Sequence, residues 1–444
     1  MKKNTKNISR ISGQERKNRE SPAIFTPPAR DMENPNKYLI GESRIAECCP
    51  YCQSKNFVKR GTRKNQYQAV QLYLCKNEEC SRTFTAQDVK GKHFPLNVVI
   101  DSMSYYNLGF SLEETCRIIE KKFGAPVPSL PVVKPIPSGT NTRNFVAPTP
   151  ATLSNWIEEY SELCRYSRIR PYATKMCKPQ DTIEVVTMAH RQLYRFRYHR
   201  PKTTLMLTEF RNRNLGRLRE YLDAVSSETP HQYFQDGERM SDVRSKFSTA
   251  DMIVKSKTNY ANHLAAFVLQ TVSENKARHE ALQRFFIAND SCTVATEVPV
   301  YIRKEDVEYM ENVLKFKVSN NGLIQFKGRK QEEKLPKLLT GHIDLVQIRN
   351  GQVHIMDYKP NAARENPIEQ LTWYALALSR LTGLRLFEFT CAWFDEKDYY
   401  QFFPLHVVKK LQTKAKKPRR RIVHFKDGTN VEVPRGNNGK VVIV

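Results

Sequence analysis

The sequence predicts a multidomain α/β protein. Its N-terminal part holds a small cysteine module and a helical region; its C-terminal part holds an α/β core on a central mixed sheet. Three observations predict this. Two cysteine pairs bracket an alternating segment between 44 and 90. Two stretches of helical periodicity follow, at 98–124 and 148–164. From 262 to 403 the pattern settles into helix, strand, hairpin and helix.

The chain has 444 residues, enough for two to four domains. Its net charge of +26 implies a polyanionic partner. Nucleic acid is the first choice. An anionic membrane surface is the competitor, but no lipidation signal or clear basic amphipathic helix supports it. No apolar run reaches roughly 18 residues, so no membrane span is expected. The basic start MKKNTKNISR leads into no apolar signal-peptide core. A cytoplasmic location is therefore expected, in a prokaryotic cytosol or nucleoid-associated. Of the ten cysteines, four have metal spacing and six are scattered (Cys48, Cys116, Cys164, Cys177, Cys292, Cys391). That pattern points to a reducing compartment rather than a disulfide framework.

The cysteine module comes first in the argument. Cys49 and Cys52 form a C-x2-C knuckle, and Cys75 and Cys80 form a C-x4-C knuckle. Four thiolates in two pairs are the tetrahedral set that structural Zn²⁺ takes. YQAVQLYL between them alternates like a strand. Residues 44–90 are thus expected to be a zinc ribbon, because without a metal so short a piece has almost no core. Cys48, adjacent to Cys49, is the one ambiguity among the ligands.

Before the module, residues 1–40 read as a disordered basic arm. After it, 98–165 reads as a helical region interrupted by a proline-containing loop at 125–147. Thr149 is placed to cap the last helix and Pro150 to occupy its first position. Residues 176–260 read as an α/β connecting domain. They carry a basic–aromatic cluster (His190, Arg191, Tyr194, Arg197, His199) suited either to stacking on bases or to an exposed strand face. Residues 404–444 read as a basic β tail containing KKPRRR.

The most informative stretch is GHIDLVQIRNGQVHIMDYKP, 341–360. Asn350-Gly351 signals a type I′ turn. A two-residue loop there pairs Val346 with Ile355 and sets Asp344 opposite Asp357, with Lys359 on the same face. Two opposed carboxylates on a Val/Ile face repel each other and resist desolvation. A cation between them removes the penalty, and oxygen ligands suit Mg²⁺ or Mn²⁺. The same residues also read as a charged hairpin end closed by a simple salt bridge. Glu297, in TEVPVYI on the preceding strand, has two readings as well: a group supporting the metal or its water, or an edge-of-sheet acid.

With its flanks, this segment resembles the PD-(D/E)xK nuclease superfamily, especially the RecB-like exonuclease branch. Gly341-His342-Ile343-Asp344 matches the G-x-x-D element and Asp357-Tyr358-Lys359 the acidic-x-Lys strand. Gln370 and Tyr374 match the Q-x-x-x-Y helix, and His279 in KARHEALQRFF matches the helical histidine. The resemblance spans 262–400. It implies a restriction-endonuclease-like core in which His279, Asp344, Asp357 and the Tyr358 carbonyl ligate the metal. Lys359 would be catalytic, and Gln370 and Tyr374 would position the substrate strand or the active-site groups. Some relatives clamp an iron–sulfur cluster with one cysteine before and three after the core. Only Cys292 and Cys391 lie in that neighbourhood, so no cluster is expected.

At the other end, C-P-x-C-x-S with Y-x-C-x4-C-x-R-x-F resembles the zinc ribbons of many bacterial and archaeal transposases. A helix-turn-helix usually follows there. GFSLEETCRIIEKKFG and PTPATLSNWIEEY resemble its two halves, although the loop between them is far longer than a standard turn. Thr149, Thr152, Ser154 and Asn155 would then meet phosphates or bases; an ordinary helical connector is the alternative. The expectation is a metal-dependent DNA nuclease with its own DNA-binding head, in which the zinc is structural and Mg²⁺ or Mn²⁺ catalytic. A transposition-related endonuclease and a non-catalytic DNA-binding regulator are the alternatives. Positive charge does not distinguish the sugars, so RNA stays open as the nucleic acid, and so does a homodimer.

Overall fold

The computed structural model describes residues 46, 48–64, 69–86, 93–124, 145–245, 247, 254–256, 258–272, 275–320, 322–409, 420–424 and 430–434. The expected basic arm 1–40, the loop residues 125–144 and all of KKPRRR up to Arg419 lie outside them.

In the cysteine module, β1 (Phe57–Lys64), β2 (Ala69–Cys75) and β3 (Thr83–Thr85) form an antiparallel sheet. Its small core is Cys49, Tyr73, Cys75 and Phe84, with Phe57 edge-on to both rings.

Next come α1 (Leu96–Leu108), α2 (Leu112–Gly124) and α3 (Pro150–Glu159), then a single turn, α4 (Arg170–Ala173). Each boundary has a local cause. Gly109 ends α1 with φ of 116°, a conformation open to glycine at little cost. Ser111 and Glu114 cap each other's backbone N–H groups to start α2. Thr149 Oγ1 accepts from Thr152 N to start α3 behind Pro150.

The rest of the chain is organised around one sheet. β4 (Ile183–His190) and β5 (Gln192–His199) form a hairpin. Then follow α5 (Arg200–Thr208), α6 (Gly216–Glu228), α7 (His231–Asp236) and the short strands β6 (Glu238–Arg239), β7 (Val243–Arg244) and β8 (Lys255–Ser256). After α8 (Tyr260–Val268) and α9 (Asn275–Asn289) come β9 (Thr293–Arg303), α10 (Lys304–Asn312), β10 (Leu323–Phe326) and β11 (Glu332–Lys334). The long hairpin β12 (Leu338–Arg349) and β13 (Gln352–Tyr358) leads to α11 (Ile368–Thr382), β14 (Phe389–Phe394), β15 (Tyr399–Phe402) and α12 (Pro404–Val408). A last hairpin, β16 (Arg420–His424) and β17 (Asn430–Pro434), stands as its own sheet.

The nine-stranded sheet runs β4-β5-β9-β12-β13-β14-β15-β8, with β6 added beside β12. It is mixed: β13 pairs parallel with β14, and β6 with β12, while the remaining pairs are antiparallel. Residues 176–260 read from sequence as a connecting domain; in the fold β4, β5, β6 and β8 are bonded into this same sheet, while β7 pairs with β10 in a separate three-stranded sheet.

Both faces of the sheet are covered, which is why its strands are nearly continuous in apolar residues. One face carries Val346, Ile348, Val353 and Ile355 under α11 and α6, around the fully buried Trp373. The other carries Leu345, Met356 and Tyr358 under α8 and α9. Leu96, Met103, Leu153 and Trp156 of α1 and α3 join that second core. Asn289 of α9 is tied to Asn107 and Ser104 of α1 by buried hydrogen bonds of 2.8 Å each. Burying each large apolar side chain contributes ~1.5–3 kcal/mol, so these helices are integral to the core rather than hung from it.

Candidate functional site

The β12–β13 hairpin turns as its sequence demands. Arg349 pairs with Gln352, and Asn350 and Gly351 have φ of 53° and 77°. The register then runs Val346–Ile355 and Leu345–Met356, which sets Asp344 across from Asp357. On the other side, β9 pairs Val298 with Ile343 and Thr296 with Leu345, leaving Glu297 beside Asp344. Three acids thus stand in a row across three strands. Within β9 Glu297 departs from extended backbone, with a left-handed φ of 51°; such strain in a non-glycine residue costs on the order of 1–3 kcal/mol.

α9 crosses the other face of the sheet, and its first turns bring His279 to this row. His279 Nδ1 donates to Asp344 Oδ2 at 3.0 Å. One ligand atom from each of His279, Asp344 and Asp357 lies within 4.8 Å of the other two. Lys359 Nζ lies 2.8 Å from Asp357 Oδ2. His263, the other histidine of this helical region, is exposed on α8 and takes no part. The Tyr358 side chain points to the opposite face, edge-on to the His279 ring and within 3.4 Å of Glu396.

The charges are divided unevenly. Burial pushes Asp357 up to about 7, helped by the Asp344 charge. Burial and the same charge push Glu297 up to about 8. Burial acts upward on Asp344 too, but the His279 hydrogen bond overcomes it and holds this carboxyl below its ordinary range. Burial would lower the His279 pKa, and Asp344 raises it instead. One carboxylate is firmly ionised, and its two neighbours resist ionisation for want of positive charge. A divalent cation supplies that charge. Octahedral Mg²⁺ at ~2.1 Å spreads its ligands over about 3–4 Å, so this donor set fits one hard ion.

α11 walls the site from the side of Val346 and Ile348. Gln370 and Tyr374 share a face, and Gln370 Nε2 donates to Tyr374 Oη at 3.0 Å. Gly341 is glycine for a contact reason: a Cβ there would stand 2.5 Å from Tyr374 Cε1. Glu297, Asp344, Gln370 and Tyr374 line a cleft of ≈ 160 Å³. Its opposite wall is His190, Arg191 and Tyr194 of the β4–β5 hairpin, Phe234, Arg239 and His342.

Residues 210–422 match the model of the PD-(D/E)XK nuclease superfamily. The chain carries a nuclease domain of this superfamily. The matched span contains the whole His279–Asp344–Asp357 cluster, an arrangement consistent with a metal-dependent nuclease active site. No curated protein and no solved structure matches the chain.

A second metal-ligand set lies in the cysteine module. The sulfurs of Cys49, Cys52, Cys75 and Cys80 all lie within 4.8 Å of one another. Cys49 and Cys80 are 3.7 Å apart, and Cys52 and Cys75 3.5 Å. A tetrahedral Zn²⁺ with Zn–S of ~2.3 Å needs sulfurs about 3.8 Å apart, so the set fits. Cys48 points elsewhere, its thiol 3.4 Å from Gln53 Oε1, which settles the ambiguity in favour of Cys49.

Sequence reading brought together His279, Glu297, Asp344, Asp357, Lys359, Gln370 and Tyr374, and the fold gathers them. It missed the place of Arg239 and His342 in the cleft wall. Arg239 has no motif around it; it reaches the cleft because β6 pairs with Leu339 and Thr340 of β12. His342 had one available signal: it alternates with Asp344 and so shares its face.

Proposed function

We propose that this chain is a metal-dependent deoxyribonuclease that hydrolyses phosphodiester bonds. In this reading its zinc ribbon and neighbouring helices grip the DNA. The reading is carried by one observation: His279, Asp344 and Asp357 converge on a single cation-sized point, with Lys359 beside Asp357, inside the matched nuclease domain.

His279, Asp344, Asp357 and the Tyr358 carbonyl would hold the ion, with Glu297 supporting it from β9. A bound Mg²⁺ or Mn²⁺ would supply Lewis acidity for the phosphodiester and for a water molecule. Lys359, kept charged by Asp357, stabilises negative charge building on the phosphorus. Gln370 and Tyr374 steady the substrate strand against α11. The net charge of +26 supplies the attraction to DNA and makes binding salt-dependent.

The test is incubation of the protein with linear and circular DNA, single- and double-stranded, in Mg²⁺ or Mn²⁺. RNA and the Lys359→Ala and Asp344→Ala variants run alongside. The expected result is cutting of DNA by the wild type and silence from both variants, which still bind. Cutting of the circle identifies an endonuclease, and a joined product would identify strand transfer. Binding without cutting in either metal would overturn the enzyme reading in favour of a DNA-binding regulator. Cutting of RNA alone would overturn the choice of substrate.

A further inference from the structure

The β4–β5 hairpin lies outside the matched residues, yet its tip forms a wall of the cleft. It is firmly seated. His190 stacks on Phe234 with ring centroids 4.1 Å apart and bonds to His342 at 2.9 Å and His231 at 2.8 Å. Tyr194 stacks on His342 at 3.6 Å. Gln235 Nε2 donates to Ala189 O at 2.6 Å. So stiff a wall holds its side chains in place before any ligand arrives, which lowers the cost of binding one.

Two guanidinium groups sit on this wall. Arg191, at the turn, donates to Gln235 O at 2.8 and 3.0 Å. Arg239 donates to Tyr194 Oη at 3.0 Å. Its backbone is anchored by the pairing of β6 with β12, which sets Arg239 opposite Thr340. Both arginines are oriented by neutral oxygens, and neither has a carboxylate partner among the described residues. Other arginines nearby do. Arg195 and Arg197 pair with Glu280, and Arg329 pairs with Glu238 and Glu333. Each guanidinium has five N–H donors in a fork that suits phosphate oxygens, so these two keep capacity to spare.

We propose that Arg191 and Arg239 form a phosphate subsite for the substrate strand, taking a phosphate next to the one cut at Asp344 and Asp357. The proposal rests on the nuclease reading. We assign a single nucleic-acid strand as the ligand, because Asp344 and Glu297 lie in a cleft between two walls, the hairpin tip on one side and Gln370 and Tyr374 of α11 on the other.

The test uses the full-length protein, an Arg191→Gln/Arg239→Gln double variant and a charge-keeping Arg191→Lys/Arg239→Lys control. Binding of a short fluorescent single-stranded oligonucleotide is measured against salt without divalent metal, so no cutting occurs. The expected result for the Gln variant is about tenfold weaker binding. Its slope of log K against log salt should be shallower by ~0.7 or more. The Lys control should recover the slope, and binding to a blunt duplex should be unaffected. An unchanged single-strand slope with unchanged affinity overturns the subsite. Equal losses on the duplex overturn the single-strand assignment. If the Gln variant loses single-strand binding but the wild type cuts nothing in Mg²⁺ or Mn²⁺, the nuclease reading falls and the strand-binding site stands.

Discussion

Glu297 stands beside Asp344 across adjacent strands of the central sheet, and burial together with the Asp344 charge makes Glu297 hard to ionise. With Asp357 on the far side, this gives the metal-free protein a pH dependence whose sign is fixed. Glu297 and Asp357 are raised to about 8 and about 7, against ~4.3 and ~3.9 for such groups in an unfolded chain. Between those limits the folded state binds more protons than the unfolded one. The stability is therefore fully present below about pH 4 and lost as pH rises through 7 and 8. Melting in the presence of chelator should fall by on the order of 5 °C between pH 5.5 and 8.5. Mg²⁺ or Mn²⁺ should restore it, and Glu297→Gln should flatten the upper part of the curve. A melting temperature that rises over this range would count against the shared-charge account.

Gly341 and Tyr374 are in contact in a way that leaves no room for a side chain. Gly341→Ala puts a methyl group 2.5 Å from a ring held in a packed core, and overpacking of that kind costs ~1–3 kcal/mol. The expected result is a lower midpoint in denaturant with an unchanged slope, and reduced cutting because Tyr374 is displaced. In a Tyr374→Ala background the same substitution should cost almost nothing more, since the two effects share one contact. Additive losses would show that Gly341 matters for another reason.

Much of this site was legible in the sequence because its geometry is local. A two-residue turn fixes a register, a register fixes which side chains share a face, and an i,i+4 spacing does the same on a helix. Asp344, Asp357, Lys359, Gln370 and Tyr374 all follow from such short-range rules. The opposite wall does not. His190 and Arg239 reach the cleft through strand pairing and packing between distant segments, and nothing in HRQLYRFRYH says which sheet it will join. The helices expected at 98–124 and 148–164 were likewise readable as helices, the second from Thr149 and Pro150, but not as elements packed against the central sheet. Their apolar faces look the same whether they cover a separate head or α8 and α9.

The cysteine module should hold one Zn²⁺ per chain. Cys49→Ser removes a thiolate from the four-sulfur cluster and should release the metal, unfolding a module whose core is only a few side chains. Cys48→Ser should leave the zinc content unchanged, because its thiol lies against Gln53 instead. Metal analysis of the two purified variants decides this. Loss of zinc from Cys48→Ser would move the ligand set by one residue.

His279 offers the sharpest separation of metal binding from chemistry. It contributes a nitrogen to the cluster and also holds Asp344 ionised through a 3.0 Å hydrogen bond. His279→Ala removes both effects, so metal affinity should fall by at least the ~10–100-fold seen when a supporting partner of a ligand is lost. Lys359→Ala removes no ligand. It should leave metal affinity near that of the wild type while cutting slows by on the order of 10²–10³-fold. Titration of Mn²⁺ by calorimetry, in parallel with cleavage at saturating metal, distinguishes the two. If both variants lose affinity equally, Lys359 is a structural partner of Asp357 rather than the group that meets the phosphate.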